Sequence, residues 1–567
     1  MTQSLILDDC RRLTGKNLLS DKPGAVIDVF IDGYSQSAVK QAWQCHVQSL
    51  LDSVNWHNEK TFVRQFSGGL TLAISAPMDA LYAACELIEH AWNFAVADVS
   101  GQRPEKSAKD VIIELKQLIS EEIQPELLTL IRLAEKHNVA WLADDDEFSL
   151  GYGQTVQVWP IDNLPDAKSI NWSGYKTIPV AYITGTNGKS TCVRLASNII
   201  KHANLCAGVT STDFIRVGED IIDTGDYSGP GGARMLLRNN KTELGLLEVA
   251  RGGLLRRGLP IPQVDVALMT NIANDHLGQY GINTLADLAQ AKGIVAKGVK
   301  QGGYIVLNAD DAELVEFSKQ LTTNICWFSL SPDNPQIERH ISEDKPVCYL
   351  LNDELIYHHR ASDKNPSAQV IANVNDIPMC FGGAAKHNVQ NVLAVIALCK
   401  GLSIGVGAIT AGLTSFRSDA NDNPGRGNVF STNGAKIIVD FAHNEHSMLA
   451  MADTLKNIGG NRKFLLMSSA GDRSNEEIMA LTDAALTMAP DVLVIHELEH
   501  YLRGRELGEV PDIIKQRALE KGILADNIII TENAEQGATY VKDNVSDGDL
   551  ALLFVLSGRE QVFQLFS

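Results

Sequence analysis

From about residue 175 onward, short apolar runs alternate with stretches of helical periodicity. Runs at 178–183, 244–248, 264–269 and 304–307 are bounded by turn residues, and segments such as 192–202 between them are long enough for helices. Strands spaced by helices predict a parallel sheet covered on both faces. The scheme returns near the C-terminus with runs at 436–440, 463–468, 492–495, 527–531 and 550–554. The first part of the chain reads differently, with strand-like runs at 25–31 and 70–74 and helix-like runs at 80–96 and 108–136. Within 79–92, Leu81, Ala84, Leu87, Ile88 and Ala91 recur at spacings of three or four, the buried face of one helix.

A chain of 567 residues exceeds what one hydrophobic core organises. The pattern predicts a three-domain α/β protein: a mixed α+β domain over 1–172, a central parallel-sheet domain over 173–423, which the glycine-rich motif described below marks as a phosphate-loop ATPase domain, and a Rossmann-like α/β domain over 424–567. The polar stretch 417–424, with Asp419, Asn421, Asp422 and Asn423, suits a hinge between the last two. No G-x-G-x-x-G follows the first strand of the last domain, so no dinucleotide is assigned to it.

Composition narrows the function classes. Hydrophobic residues at 45% and charged residues at 21% are those of a globular chain. A net charge of −20 argues against nucleic-acid and anionic-membrane surfaces, which demand clustered Lys and Arg. The nine cysteines, scattered from Cys10 to Cys399 with no C-x-x-C, suit reduced thiols in a cytoplasm. No run approaches the ~20 apolar residues of a membrane span. Homo-oligomerisation is left open.

The chemistry begins at Gly185-Thr186-Asn187-Gly188-Lys189-Ser190-Thr191, between the run 178–183 and the helix-like 192–202. A strand ending in glycine turns presents backbone N–H groups to phosphate, and the following helix adds its positive end. Lys189 would reach the β/γ-phosphates, and the Ser190 hydroxyl would hold Mg²⁺. The generic phosphate loop wants a further glycine where this chain has Ile183. Ligands of parallel sheets bind beyond the carboxyl ends of the strands, so this loop, Glu248 and Thr270-Asn271, each following a strand, can share one crevice. Two other stretches are set aside. The run Asp144-Asp145-Asp146-Glu147 reads as a solvated loop. His496-Glu497-Leu498-Glu499-His500 spells a zinc-protease motif but follows a strand, where its two histidines would not share a helix face.

The loop Gly185–Thr191 resembles that of the Mur ligase superfamily. Its companions follow in order at Leu247–Gly253, Thr270–Gly278, Lys386-His387-Asn388, Pro424-Gly425-Arg426 and Asp440–Asn444. Within the superfamily the chain is similar to the Mur-like C-terminal half of the cyanophycin synthetase family. The stretches that carry this are Thr210–Asp213, Gly225–Pro230, Glu248–Leu259 and Leu502–Arg505, joined by two N-terminal stretches, 72–92 and 134–153. That family carries a long ATP-grasp domain between those parts, whereas here Gly153 reaches the phosphate loop in about thirty residues.

The resemblance implies ATP and Mg²⁺ as cofactors and roles for particular residues. Lys189, Glu248, His276 and Lys292 would be catalytic, with Ser190, Glu248 and His276 as metal ligands and Lys292 a candidate for carbamylation. Gly185, Thr186, Asn187, Gly188, Ser190, Thr191, Asn271, Asn388, Arg426 and Asp440 would surround the nucleotide. Thr212, Asp226 and Ser228 would face the acid substrate, and His443, Asp472, Arg473, Arg503 and Arg505 would complete the substrate contacts. His387 stands as either a contact or a structural residue. The expected reaction is ATP-dependent amide or isopeptide ligation of an amino acid to a small amino-acid or peptide carboxylate through an acyl phosphate. The alternatives are a catalytically silent nucleotide-binding scaffold and a folylpolyglutamate synthase-like ligase.

Overall fold

The computed structural model describes residues 3–275, 277–359, 368–456 and 458–567. Its N-terminal part is an antiparallel sheet in the order Ser4–Leu13, Gly24–Asp32, Gly69–Ser75, Thr61–Phe66. Helices Gln36–Ser53 and Leu81–Ser100 bury Trp43, Leu87 and Ile88 against it. The single helix expected over 108–136 is two, Ala108–Glu122 and Pro125–Lys136. Pro125 lacks the N–H a continuing helix needs and pushes Gln124 out of the helical region, so the chain breaks and restarts with proline in the first turn. A three-stranded sheet, Trp141–Ala143, Glu147–Leu150 and Gln157–Pro160, follows.

The acidic run 144–147 lies on the surface as its composition suggests, with Asp145, Asp146 and Glu147 exposed, but it is also ion-paired. Asp144 accepts from Arg234 (2.9 Å) and Arg238 (2.8 Å), Glu147 from Arg238 (2.7 Å), and Asp145 from Arg12 (2.7 Å). Cations supplied from elsewhere in the chain turn the run into a tie between the N-terminal region and the central sheet.

That central sheet has eleven strands. At its middle lies β1 (Val180–Thr184), parallel to β2 (Leu244–Glu248) on one side and β3 (Val264–Met269) on the other. Strand Ala207–Thr210 extends the parallel set beyond β2, and Val299–Asn308, Asn324–Ser329 and Val347–Leu351 extend it beyond β3. Antiparallel hairpin strands finish both edges. All residues of β1 and β2 are buried, which is why they read as unbroken runs and not as alternation. Helices α1 (Lys189–His202) and α3 (Lys386–Gly401) cover one face through Ile199, Ile200, Val392 and Leu393, and α2 (Leu285–Gly293) covers the other through Leu288 and Ala291.

A loop from Phe416 to Gly427 leads to the last sheet, ordered Asn428–Thr432, β4 (Ala435–Asp440), β5 (Leu550–Phe554), Lys463–Met467, Val492–His496, Ile528–Thr531. Only its first strand is antiparallel. Helix α4 (Glu445–Lys456) follows β4, and α5 (Arg559–Phe566) follows β5. The zinc-motif spelling at 496–500 falls on a strand end and a 3₁₀ turn, Glu499–Tyr501, with His496 fully buried and bonded to the Glu497 carbonyl. Among the described residues no group of three His, Cys, Asp or Glu is placed to hold a metal, and no helix is long and apolar enough to cross a membrane.

Candidate nucleotide cleft between two parallel sheets

The loop after β1 is shaped by two glycines. Gly185 has φ +142°, and a Cβ there would lie 1.9 Å from Thr270 Oγ1. Gly188 has φ +86°, and its Cβ would lie 2.4 Å from Asn391 Oδ1. Larger residues would be both strained and blocked. The end of β3 clamps the loop from the side: Thr186 N–H donates to Asn271 O (2.9 Å), Asn187 N–H to Asn271 Oδ1 (2.9 Å), and Thr270 Oγ1 to Asn187 O (2.6 Å). Asn271 therefore acts on the loop itself. The first intrahelical bond of α1 runs from Cys192 N–H to Gly188 O, which leaves the N–H groups from Gly188 to Thr191 at the head of the helix for an anion.

Charged groups crowd behind this turn. Lys189 Nζ folds back to donate to Gly185 O (3.1 Å) and Thr186 O (3.0 Å), and Lys292 Nζ reaches the same Gly185 oxygen (2.9 Å). Lys292 is buried; desolvation first, and then the Lys189 charge, hold its ammonium well below the usual lysine range. Glu248, at the end of β2, accepts from Ser190 Oγ (3.2 Å), while its Oε2 is shielded from water with no hydrogen-bond partner. Burial raises its pKa, against the pull of Lys189 and Arg426. A buried carboxylate with an orphaned oxygen beside a helix-head hydroxyl fits a hard divalent cation, because such an ion takes oxygen ligands and would supply the missing charge. His276 lies outside the described residues.

The facing wall comes from the C-terminal sheet. The Arg426 guanidinium stacks 4.7 Å from the Phe441 ring centre. Asp440, at the end of β4, accepts from Ala442 N–H (2.7 Å), and burial raises its pKa with Arg426 opposing. Asn444 and Asn187 exchange side-chain hydrogen bonds (2.9 and 3.2 Å), and His446 Nδ1 lies 3.1 Å from Asn187 Nδ2. The C-terminal unit thus touches the phosphate loop directly. Burial pushes His443 and His387 down to about 4, so both are neutral at physiological pH.

Two cavities result. One, of about 650 Å³, opens between the head of α1, Glu248, Arg426 and the start of α5, with Thr212 and His443 on its wall. The other, of about 90 Å³, lies between Asn271, Asn388, His387, Asp440 and His446. Asn388 also donates to Met379 O (2.8 Å), so its amide braces α3 as well as facing the pocket. The remaining expected residues sit elsewhere. Asp226 accepts from the N–H and Oγ of Ser228 (3.0 and 2.6 Å), and neither is on the wall of either cavity. Asp472, Arg473, Arg503 and Arg505 form an ion-paired cluster next door: Arg503 pairs with Asp472 (2.5 Å), Arg505 donates to Gly471 O (2.9 Å) and Arg473 O (2.7 Å), and Arg473 crosses to Asp275 (3.3 Å).

Sequence reasoning missed four contributors. Arg194, buried on α1, pairs with Asp213 and reaches Asn423 Oδ1 (3.4 Å). Asn391 fills the space behind Gly188, and Tyr501 and the segment Ser557–Gln561 line the larger cavity. The last had a signal: 550–566 repeats the buried strand, glycine and helix of 180–202. The first two had none, since an arginine and an asparagine inside helices look like solvent-facing residues.

Comparison with known proteins places these elements. The Mur ligase middle domain model matches residues 183–399, and the model for the Mur ligase glutamate ligase domain matches 425–554. The cyanophycin synthetase of Crocosphaera subtropica is 35% identical over 379 residues, 66% of this chain and 42% of that protein. The chain spans less than half the length of the cyanophycin synthetases it matches. The UDP-N-acetylmuramoyl-L-alanyl-D-glutamate–2,6-diaminopimelate ligase of Bacillus velezensis is 22% identical over 392 residues, 67% of this chain and 73% of that one. Among solved structures, E. coli FolC in complex with DHPP and ADP superposes with a TM-score of 0.51 at 15% identity, covering 68% of this chain and 87% of that one, a likeness of fold.

Proposed function

Since the chain carries the middle and C-terminal Mur ligase domains and belongs to that superfamily, we propose that it is an ATP- and Mg²⁺-dependent amide ligase. It joins the amine of an amino acid to the carboxylate of a small amino acid or peptide. The observation that carries this reading is the convergence of Lys189, Ser190 and the orphaned Glu248 carboxylate behind one phosphate loop, closed by Arg426 and Asp440 from a second sheet. Amide formation from a carboxylate in water is uphill, so the acid is first activated by ATP and the amine then displaces phosphate.

The chain's own groups serve positioning and charge, which is what phosphoryl transfer asks of a protein. The free N–H groups heading α1 receive phosphate oxygens. Lys189 leaves the loop carbonyls to meet the β/γ-phosphates. Ser190 and Glu248 would hold Mg²⁺, which when bound neutralises charge on the transferring group. Arg426 and Asp440 flank the ribose and adenine side with a cationic fork and an acceptor. Lys292, whose ammonium form burial disfavours, is assigned as the site of carbamylation. We further assign Thr212 to the acid substrate, Asp275, Arg473 and the Arg503–Arg505 turn to the amine side, and domains to 1–172, 173–423 and 424–567.

The cyanophycin synthetase-like reading is preferred over a folylpolyglutamate synthase-like one, because the former rests on 35% identity and the latter on fold alone. A single ligation on a small amino-acid or peptide carboxylate is the preferred reading, because the roughly thirty residues between Gly153 and the phosphate loop leave no room there for the ATP-grasp domain of the cyanophycin synthetase family. Cytoplasmic placement is proposed from the free cysteines, several of them buried in the core. The test is phosphate release and product mass from purified protein, ATP, Mg²⁺ and pools of amino acids and dipeptides. A product heavier than its acid by one amino acid less water is expected. No phosphate release with any pool, from protein that binds Mg·ATP, overturns the ligase in favour of the silent scaffold.

A further inference from the structure

On the outer side of α1, away from the phosphate loop, Arg194, Ser197, Asn198 and Lys201 recur at helical spacing and form one wall of a second cavity. Its volume is about 200 Å³. The opposite wall is Arg216 and Gly218 of the edge hairpin, and the third is Phe416 with Asn421–Asp422 of the loop between the two sheets. Three cations line this space in a chain whose net charge is −20.

Two of the three are already matched. Arg194 pairs with Asp213, and Lys201 pairs with Glu219 (2.8 Å), which neutralises that carboxylate as well. Asp422, the other acid on the wall, accepts from Arg417 N–H (2.8 Å). Arg216 is different. Its Nη2 donates to Ser197 Oγ (2.9 Å), its guanidinium lies 5.5 Å from the Phe214 ring centre, and its Nε is shielded from water without a partner. Among the described residues it has no carboxylate within ion-pair distance. Glu219 and Asp422 act on it only from beyond that distance and desolvation outweighs them, so the guanidinium is held largely out of water with no paired anion, and Arg is the side chain whose planar fork best fits an oxyanion.

We propose that this cavity is a binding site for a small oxyanion, a phosphate or a carboxylate, held by Arg216 and Ser197 and facing Asn421. The position gives the site a consequence. Asn423, one residue beyond the cavity wall, touches both Arg194 and Thr191 of the phosphate-loop helix (3.4 and 3.5 Å). An anion bridging the hairpin to this loop ties down the connection between the central sheet and the C-terminal sheet, next to the phosphate-loop helix. The proposal does not depend on which reaction the cleft performs.

Inorganic phosphate is the probe, measured by calorimetry on the full chain. Phosphate also suits the phosphate loop, so the background is Lys189→Ala, which weakens that site. This variant is expected to retain one phosphate per chain, and adding Arg216→Gln is expected to weaken that binding at least about tenfold, the loss of a charge-assisted pair. Arg216→Lys keeps the charge and should lie between the two. Arg216→Gln alone should bind Mg·ADP like the parent, which shows that the fold is intact. Malonate that displaces phosphate identifies a carboxylate ligand, and failure to displace it identifies a phosphate; both results keep the site. Equal phosphate binding with and without Arg216, or no binding beyond the phosphate loop, overturns it.

Discussion

The phosphate-loop wall of the cleft and the ion-paired C-terminal cluster beside it solve the problem of charge in opposite ways. Behind the phosphate loop, Glu248 and Lys292 are buried with their ionised forms disfavoured, and Glu248 Oε2 has no partner. In the C-terminal cluster every expected residue is already satisfied, Arg473 by Asp275, Arg503 by Asp472, and Arg505 by Glu509 and two carbonyls. Unmatched charge marks where a ligand must supply what the protein lacks. Matched charge marks a surface that is folded in advance and must exchange partners to bind anything.

The comparison can be broken at its strongest point first. Lys189→Ala removes the mobile cation of the unmatched side. Phosphate release should fall by about 10³-fold or more, the scale of a lost transition-state charge contact, with weakened Mg·ATP binding in a direct titration. Glu248→Gln should produce two effects of opposite sign. Turnover and its Mg²⁺ dependence should fall by about 10²-fold, while the nucleotide-free protein should gain about 1–3 kcal/mol in chemical denaturation at pH 7–8, because an unsatisfied buried charge is gone. The sign with pH follows from linkage. A carboxyl whose pKa is raised by folding holds its proton more tightly folded than unfolded, so its penalty is absent below the unfolded value near 4.5 and grows as pH rises toward the folded one. The stability gain of Glu248→Gln should therefore vanish in acid, and a gain that persists there would mean that charge is not its cause.

The matched side should respond less. Arg473→Ala or Asp275→Asn opens a partly buried bridge between the two sheets, and turnover should fall about tenfold with nucleotide affinity kept. A double-mutant cycle should give a coupling of about 1 kcal/mol. Equal damage from this pair and from Lys189→Ala would erase the distinction between the two sides. Arg503→Ala, whose direct pair with Asp472 is half exposed to solvent, should shift stability by no more than about 0.5 kcal/mol in the same melts.

Legibility followed locality. The strands β2, β3 and β5 coincide with the apolar runs, because a strand buried on both faces has no other way to be written. Local proline chemistry was in plain view at Pro125 yet was outweighed by the helical periodicity on either side of it. The edge strands and the extra parallel strands 324–329 and 347–351 were not read, since their pattern is interrupted and their pairing lies across the sheet. The acidic run 144–147 shows the limit from the other direction: its composition is that of a solvated loop, and only the arrival of Arg234, Arg238 and Arg12 changes its meaning.

What the chain order determines unaided is the phosphate loop, because the two glycines that take its positive backbone angles, the strand before them and the helix after them all lie within residues 180–202. Tertiary structure decided the rest of the cleft. It brought Lys292 to the Gly185 carbonyl, set Asn444 against Asn187 across 257 positions, and left Asp226 and Ser228 bonded to each other away from the cavities. Burial and charge pairing are sums over neighbours from distant segments, and such sums exist only once the sheets have packed.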